Sequence, residues 1–511
     1  MRNQYVRLFM AVSLCLLAAC STVRERPYSS VDPLADKQAK REFRGAWIQT
    51  AFQSEYQEMG PVRMKRDFVR KLNRLQACGI NAVIFQVRPE ADAFYKSEIE
   101  PWSRFLTGEQ GVAPAGEFDP MAFLIEECHK RGMEFHAWLN PYRARTAGNS
   151  RLADTHVYHS HPEWFVTYNK QLLFDPGLPD CRQFICRVVR DIVSRYDVDA
   201  IHMDDYFYPY PVAGMPFPDD KSFRKYGLRK GYTEATRDDW RRENVNQLIQ
   251  EIKRTILLTK PWVRFGISPF GIYRNKRNTP DGSGSNTNGL QNYDDLYADV
   301  TYWVKQGWID YNIPQIYWEI GHPAADYITL VKWWDKNANG GHLYIGQDVA
   351  RTMKAGQLTR KMRYERALPH VKGNCFWPAN EILWNNKGVA DSLKRNYHRY
   401  PALIPAYTFM HDRAPKRVGK LKTEWTPDGY LLHWTAERSA TNPELAAYFV
   451  VYRFLDGEPM DLSDPSHIVA ITRETGYYLP YEKGRVKYRY VVTPVDRFHN
   501  EGEGRAKKVK L

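Results

Sequence analysis

Hydrophobic and polar positions follow two alternating patterns through most of this chain. Between residues 44 and 397, short apolar runs alternate with longer segments in which apolar residues recur every three or four positions. The runs predict buried strands, and the longer segments predict amphipathic helices that pack against them. Arg44–Gln49 is an example of a predicted strand. Met64–Cys78 is an example of a predicted helix, with Phe68 and Leu72 on one face.

The strand and helix patterns repeat eight times, which predicts a (β/α)8 TIM barrel. The predicted strands are Arg44–Gln49, Ala82–Arg88, Glu134–Leu139, Ala200–Asp204, Arg264–Ser268, Tyr311–Tyr317, His342–Gly346 and Gly373–Trp377. The predicted helices include Asp238–Leu258, Tyr293–Gln306, Ala324–Lys336 and Gln357–His370. An open doubly wound α/β sheet is the alternative, and we disfavour it because no glycine-rich phosphate loop follows the first strand.

The hydrophobic pattern changes after a proline-bearing linker at residues 401–414. Residues 415–511 contain short alternating runs, which predict a small all-β sandwich domain. Residues 488–496 and 500–502 resemble the end of a fibronectin type III module. We therefore expect a barrel over residues 41–400 followed by a fibronectin type III-like domain that has no catalytic role.

The fourth predicted strand ends in two adjacent carboxylates, Asp204 and Asp205, and an aromatic segment follows them. Cleavage of a glycosidic bond needs a pair of carboxyl groups, and flat aromatic rings stack on sugars. Strand alternation directs Asp204 into the barrel mouth and Asp205 aside. Glu319, two strands away between apolar neighbours, is the second candidate and would be the general acid. Three further carboxylates are rivals for that role: Asp92, Asp348 and Glu381.

Polar and aromatic side chains concentrate at the C-terminal ends of the predicted strands, where TIM barrels carry their active sites. We expect the following residues to bind substrate: Arg88, Asp92, Trp138, Asn140, Arg143, Tyr206, Tyr208, Gln315, Tyr317 and Trp318. A cluster of His156, His159 and His161 raises the alternative of a metal-dependent polysaccharide deacetylase. The cluster lacks a standard zinc spacing, so we predict no metal and no cofactor.

The first nineteen residues have the features of a bacterial lipoprotein signal peptide. Arg2 and Arg7 precede an apolar core, Leu8–Ala19, that is short for a membrane span. Cys20 follows in a lipobox-like sequence and is the predicted lipidation site, with residues 20–40 as a tether. We therefore expect a lipid-anchored protein of the bacterial cell envelope.

Charge and cysteine usage add little to this picture. The formal net charge is +14, but the basic residues are spread along the chain, which does not favour a nucleic-acid partner. Five widely spaced cysteines follow Cys20, which does not indicate a disulfide framework.

Several motifs occur in the order found in one known family: Phe43–Trp47, Gln86–Pro89, His136–Arg143, Asp204–Pro209 and Pro314–Trp318. Together they resemble the glycoside-hydrolase-like family 10 lipoproteins, over roughly residues 41–400. The resemblance implies a TIM barrel and a glycosidase of the bacterial envelope, and one member acts on peptidoglycan strands stripped of peptide. A glycan-binding lipoprotein without catalytic activity is the alternative. The resemblance implies mouth positions for Arg88, Asp92, Asn140, Arg143, Asp204, Asp205, Tyr206, Gln315 and Tyr317, but it does not define the acid/base pair.

Overall fold

The computed structural model describes residues 38–511 except residues 147, 149 and 482. The predicted signal peptide, Cys20 and most of the predicted tether lie outside the described residues. Within the described part of the chain, none of the helices combines the length and apolar character that a membrane span requires.

Eight parallel strands close into a barrel, as the alternating pattern predicts. Each strand pairs with the next one along the chain, and the eighth pairs with the first through Gly45 and Cys375. The barrel strands are Phe43–Ile48, Ala82–Arg88, Glu134–Leu139, Ala200–Met203, Arg264–Ile267, Tyr311–Asn312, His342–Asp348 and Val371–Trp377. The (β/α)8 prediction is therefore confirmed.

Helices follow the barrel strands and cover them on the outside. The main ones are Pro61–Ala77, Pro120–Lys130, Pro179–Arg195, Arg237–Thr259, Val300–Lys305, Tyr327–Lys336, Leu358–Arg366 and Ala379–Leu383. Shorter α-helices lie in the connections: Arg104–Thr107, Val157–Ser160, Asp220–Ser222, Asn292–Asp295, Val349–Lys354 and Val389–Ser392.

Two barrel elements are shorter than their sequence patterns predict. The sixth strand is Tyr311–Asn312 rather than Tyr311–Tyr317, because Pro314 has no N–H for the strand ladder. The predicted helix Tyr293–Gln306 is two helices, because Tyr297 has a positive φ of 55° that interrupts the turn between them.

The connection after the third barrel strand contains a small antiparallel sheet that the sequence pattern did not reveal. Its strands are Arg143–Arg145, Phe165–Tyr168 and Gln171–Phe174. The sheet begins three residues after Asn140 and therefore holds Arg143 beside the end of the third barrel strand.

The C-terminal region forms two antiparallel sheets, which confirms the predicted β-sandwich. The three-stranded sheet consists of Lys422–Thr426, Gly429–His433 and Gly476–Tyr478. The four-stranded sheet consists of Tyr448–Leu455, Ile468–Thr472, Lys487–Val495 and Arg505–Lys510. The fibronectin type III-like assignment and the domain boundaries at residues 400 and 415 stay predictions.

The sandwich packs against the N-terminal end of the barrel, opposite the ends of the strands that form the mouth. Glu134 and Arg264, the first residues of the third and fifth strands, form a buried ion pair. His499 of the sandwich joins this pair, with its Nε2 atom 2.7 Å from a carboxylate oxygen of Glu134. Arg497 also forms an ion pair with Asp197, at 2.8 Å. The C-terminal region therefore supplies hydrogen-bond and ion-pair partners to charged residues at the base of the barrel.

Candidate active site

A cleft of about 350 Å³ opens at the C-terminal end of the barrel strands. It is lined by Trp47, Gln49, Ala51, Phe52, Gln86, Trp138, Arg143, Asp204, Asp205, Tyr206, Tyr210, Ser268, Gln315, Tyr317 and Trp377. The barrel strands or the segments directly beyond their ends supply these residues, which is where TIM-barrel enzymes place their reacting groups.

Asp204 lies one residue beyond the fourth barrel strand and is held by the amide of Asn140. The Nδ2 atom of Asn140 donates to both carboxylate oxygens of Asp204, at 2.8 and 2.7 Å. Gln86 and Arg143 both donate to the other amide atom, Oδ1 of Asn140, at 2.7 Å each. Those two donors fix the orientation of the Asn140 amide, so its N–H groups face Asp204.

Asp205 also lines the cleft, which corrects the expectation that it points aside. Strand geometry ends at Met203, so the alternation of side chains does not extend to these two residues. The hydroxyl of Tyr210 donates to Oδ2 of Asp205. The side-chain amide of Gln315 donates to Oδ1 at 3.1 Å. Both oxygens of Asp205 therefore have a hydrogen-bond donor.

The two neighbouring carboxyl groups hold protons more tightly than free aspartate does. Burial raises the pKa of Asp204 to about 7, and the charge of Asp205 adds to the effect. Burial also raises the pKa of Asp205, while the hydrogen bonds from Tyr210 and Gln315 oppose that rise. Because each charge disfavours the other, the pair carries a proton near neutral pH, and the donors around Asp205 place it mainly on Asp204.

Aromatic rings form much of the remaining cleft wall. Tyr206 and Tyr210 stack with ring centroids 5.4 Å apart, and the guanidinium of Arg143 lies 5.4 Å from the Tyr206 ring centroid. Trp138 and Trp377 meet edge to face at 6.1 Å. Tyr206 and Tyr210 are partly exposed, so their flat rings provide stacking surfaces for sugar rings.

Phe52 stands at the rim of the cleft. Its side chain is 69% exposed and its backbone has a φ of 60°, which is uncommon for a residue other than glycine. It packs on one side against Phe105, with ring centroids 5.7 Å apart. Sequence reasoning missed Phe52 because a single aromatic residue in a loop carries no periodic signal.

The structure places Glu319 outside the cleft lining. Its backbone carbonyl accepts hydrogen bonds from the N–H groups of His322 and Tyr327. The negative charge of Glu319 acts to raise the pKa of Lys361. Burial of Lys361 has the larger, opposite effect and lowers that pKa to about 8. Because the sixth strand ends at Asn312, strand alternation does not carry Glu319 into the mouth beside Gln315. This geometry does not bring Glu319 together with Asp204 in the cleft, and its role as general acid stays a prediction.

Two aromatic residues assigned to substrate binding also lie outside the cleft lining. Tyr208 is buried, and its ring packs edge to face on Phe217 and Tyr297. Trp318 packs edge to face on Phe270 at 5.5 Å. Tyr210, two residues beyond Tyr208, takes the cleft position instead, and the aromatic run after Asp205 is the only sequence signal that points to it.

Arg88 and Asp92 lie behind the cleft and hold the loops around it. Arg88 is fully buried and forms a bidentate ion pair with Glu100. Asp92 is also fully buried and accepts a hydrogen bond from Gln110 at 3.0 Å. Burial raises the pKa of Asp92 to about 7, and the charge of Glu90 adds to that rise. Neither side chain is positioned to contact a ligand in the cleft.

The two other rival carboxylates have local structural partners. Asp348 accepts a hydrogen bond from the N–H of Arg351 at 2.8 Å and so caps the helix Val349–Lys354. Glu381 accepts a hydrogen bond from the side chain of Asn386. Neither residue lines the cleft.

The three histidines of the predicted alternative do not form a metal site. His156 accepts a hydrogen bond from the N–H of Tyr158 at 3.0 Å, and burial lowers its pKa to about 4. His161 stacks on Trp164, with ring centroids 4.0 Å apart. Across the described residues, no group of three or more histidine, cysteine or acidic side chains is arranged to hold a metal ion.

Comparison with known proteins supports the chemistry that this site suggests. Residues 42–362 match the model of the Glycosyl hydrolase-like 10 family. The chain is 38% identical over 500 residues to glycosyl hydrolase YngK of Bacillus subtilis (strain 168), a match that covers 94% of this chain and 96% of that protein. It is also 38% identical over 365 residues to glycosyl hydrolase DigH of Escherichia coli (strain K12), covering 66% and 81% of the two chains.

A solved structure similar to this chain is the glycoside hydrolase domain of PgaB (BpsB) from Bordetella bronchiseptica. It is 11% identical with a TM-score of 0.45, and the match covers 69% of this chain and 98% of that one. The extent of the family match and the identity to the two glycosyl hydrolases decide the assignment. The chain belongs to the Glycosyl hydrolase-like 10 family.

Proposed function

We propose that this protein hydrolyses glycosidic bonds in a bacterial envelope glycan, with peptide-free peptidoglycan strands as the leading substrate. The observation that carries the proposal is the buried pair of Asp204 and Asp205 in an aromatic-lined cleft at the barrel mouth. A buried carboxyl with a pKa near 7 is suited to act as a general acid at neutral pH.

In this proposal Asp204 donates its proton to the oxygen of the departing sugar. Asn140 orients that carboxyl through its two short hydrogen bonds. Asp205 stays ionised beside it, because Tyr210 and Gln315 donate to its oxygens. Its negative charge then stabilises the positive charge that develops at the sugar in the transition state.

Arg143 supplies the cleft with a cationic group beside the two aspartates. Peptidoglycan strands without peptides expose the lactyl carboxylate of each muramic acid residue. The guanidinium of Arg143 would attract such a group, although its hydrogen bond to Asn140 already uses one of its N–H groups.

The envelope location is part of the proposal and depends on the lipobox-like sequence that ends at Cys20. Lipid on this cysteine would anchor the mature protein to a membrane at the envelope. Mass spectrometry of the mature N-terminus tests this step directly, since a diacylglyceryl group adds a defined mass to Cys20. A mature protein that begins elsewhere, or an unmodified Cys20, would contradict it.

Incubation of the purified protein with peptide-free glycan strands tests the activity. We expect soluble oligosaccharides with new reducing ends, detected by mass spectrometry, in the presence or absence of a chelator. Strand binding without any released oligosaccharide would favour the glycan-binding alternative. Release of acetate that a chelator prevents, with intact strands, would favour a metal-dependent deacetylase.

A further inference from the structure

The carboxyl groups of the cleft all come from one side of the barrel. Among the described residues that line it, the carboxylates are Asp204 and Asp205, which are adjacent in the chain. Hydrolysis by two protein carboxylates needs groups on both sides of the scissile bond, about 5–5.5 Å apart for retention or about 6.5–9.5 Å apart for inversion. Across the barrel, the first and eighth strands supply Trp47 and Trp377 instead. The described cleft therefore lacks a protein nucleophile opposite the acid.

Tyr317 also lines the cleft and carries a hydroxyl that can donate a hydrogen bond. Burial raises the pKa of Tyr317 well above its usual range, so this hydroxyl stays protonated and able to donate. A donor in this position favours a ligand that brings a hydrogen-bond acceptor.

A 2-acetamido group on a sugar matches three features of the cleft: a hydrogen-bond donor, apolar rings and an ionised acceptor. Its carbonyl oxygen accepts hydrogen bonds, and the hydroxyl of Tyr317 can donate one. Its methyl group is apolar, and the tryptophan rings of the cleft are apolar. Its N–H donates, and Asp205 is an ionised acceptor with lone pairs that Tyr210 and Gln315 do not use.

We propose that the nucleophile in this cleft is the carbonyl oxygen of the substrate's own 2-acetamido group. This inference rests on the glycoside hydrolase function proposed above and specifies its nucleophile. In this reaction the substrate supplies the nucleophile that the described cleft lacks.

The proposed reaction proceeds in two balanced steps. In the first, the acetamido oxygen bonds to C1 while the bond from C1 to the leaving oxygen breaks, and that oxygen takes its electron pair and the proton of Asp204. The product is a cyclic oxazolinium whose N–H donates to Asp205. In the second, water adds to C1, its proton goes to Asp204, and the bond between C1 and the acetamido oxygen breaks. Two inversions at C1 give net retention of configuration.

A series of substrates with progressively fluorinated acetamido groups tests the nucleophile. The probes are 4-methylumbelliferyl β-glycosides of N-acetylglucosamine disaccharide in which the sugar that carries the fluorophore is N-acetyl, N-fluoroacetyl, N-difluoroacetyl or N-trifluoroacetyl. Fluorine withdraws electrons from the carbonyl oxygen and weakens it as a nucleophile. We expect kcat/KM of the full chain to fall at each step, by at least about 100-fold over the series. A kcat/KM that stays constant or rises would overturn the inference.

The Tyr317→Phe variant provides a second readout, because it removes one hydroxyl with almost no change in volume. Its kcat/KM should fall for the N-acetyl substrate, and its melting temperature should stay close to that of the parent protein. The same variant should bind N-acetylglucosamine-thiazoline, which mimics the oxazolinium, more weakly than the parent protein does. Equal thiazoline affinity in the two proteins would count against the assigned role of Tyr317.

Cleavage of peptide-free glycan strands, measured in parallel, separates this inference from the proposed function. Strand cleavage together with kcat/KM values that do not depend on fluorination would overturn the substrate-derived nucleophile alone. Absence of cleavage with both strands and glycosides would overturn the proposed function and this inference with it.

Discussion

Asn140 donates its side-chain amide to both carboxylate oxygens of Asp204, at 2.8 and 2.7 Å. The amide has one orientation because Gln86 and Arg143 donate to its oxygen. The backbone N–H groups of Thr50 and Ala51 in turn donate to the side-chain oxygen of Gln86. A chain of hydrogen bonds from the end of the first strand therefore positions the carboxyl at the end of the fourth.

This relationship predicts the pH dependence of activity. In the proposed mechanism Asp204 acts while protonated, and its pKa is raised to about 7, so kcat/KM should fall as the pH rises through about 7. Asn140→Asp replaces a donor with a negative charge beside Asp204, which should raise that pKa further and move this decline to higher pH. Asp205→Asn removes a neighbouring charge and should move it to lower pH. Profiles of kcat/KM against pH measure both shifts, and shifts in the opposite directions would contradict the assignment.

The same buried carboxyl should lower stability at high pH. A carboxyl with a pKa of about 7 when folded and about 3.9 when unfolded binds more protons in the folded state between those values. Its contribution to the free energy of unfolding therefore declines as the pH rises from about 4 to about 7. Asp204→Asn should raise the melting temperature at pH 8 relative to the parent protein, and raise it less at pH 5. A larger gain at pH 5 would contradict this reading.

Phe52 should contribute affinity without taking part in bond cleavage. It lies at the cleft rim with its ring largely exposed, so it is available to stack on a sugar beyond the cleavage point. Loss of one stacked ring costs about 1 kcal/mol, which corresponds to a rise in KM of about five-fold for Phe52→Ala, with kcat little changed. Val62→Ala is the matched control, because Val62 is equally exposed but lies outside the cleft lining. A rise in KM of the same size in both variants would remove the stacking role.

The C-terminal sandwich should matter for stability and not for chemistry. His499 contacts Glu134 in the buried network at the base of the barrel, far from the mouth. His499→Ala removes one partner of a buried carboxylate and should lower the melting temperature, by several degrees for a loss of about 2 kcal/mol. The value of kcat on a soluble oligosaccharide should stay within about two-fold of the parent protein. A large loss of kcat with an unchanged melting temperature would show that the sandwich acts on the site.

Sequence patterns predicted the barrel well because each strand and helix carries its own periodic signal. They also located Asp204, since a polar residue directly after an apolar strand points to the barrel mouth. They failed where backbone regularity stops. Asp205 lies beyond the end of the fourth strand at Met203, so alternation said nothing reliable about its direction.

The assignment of Glu319 also relied on side-chain alternation beyond the end of a regular strand, over a longer stretch of chain. Its assignment assumed a strand that runs to Tyr317, but regular pairing ends at Asn312. Tyr208 and Tyr210 show a different limit, because both are aromatic and only the three-dimensional packing decides which one is buried. Arg88 and Asp92 were assigned to the mouth by position, and their ion pair and hydrogen bonds with other loops hold them behind it.

Cleavage of peptide-free glycan strands by carboxyl variants tests the central claim most directly. The released reducing ends should fall by at least about 1,000-fold in Asp204→Asn, because loss of the catalytic acid removes transition-state stabilisation that binding does not replace. Glu319→Gln is the matched control and should retain turnover within about two-fold, since Glu319 lies outside the cleft lining. Both proteins should bind strands as the parent protein does. Near-normal turnover in Asp204→Asn, together with loss of turnover in Glu319→Gln, would contradict the assignment of the active site.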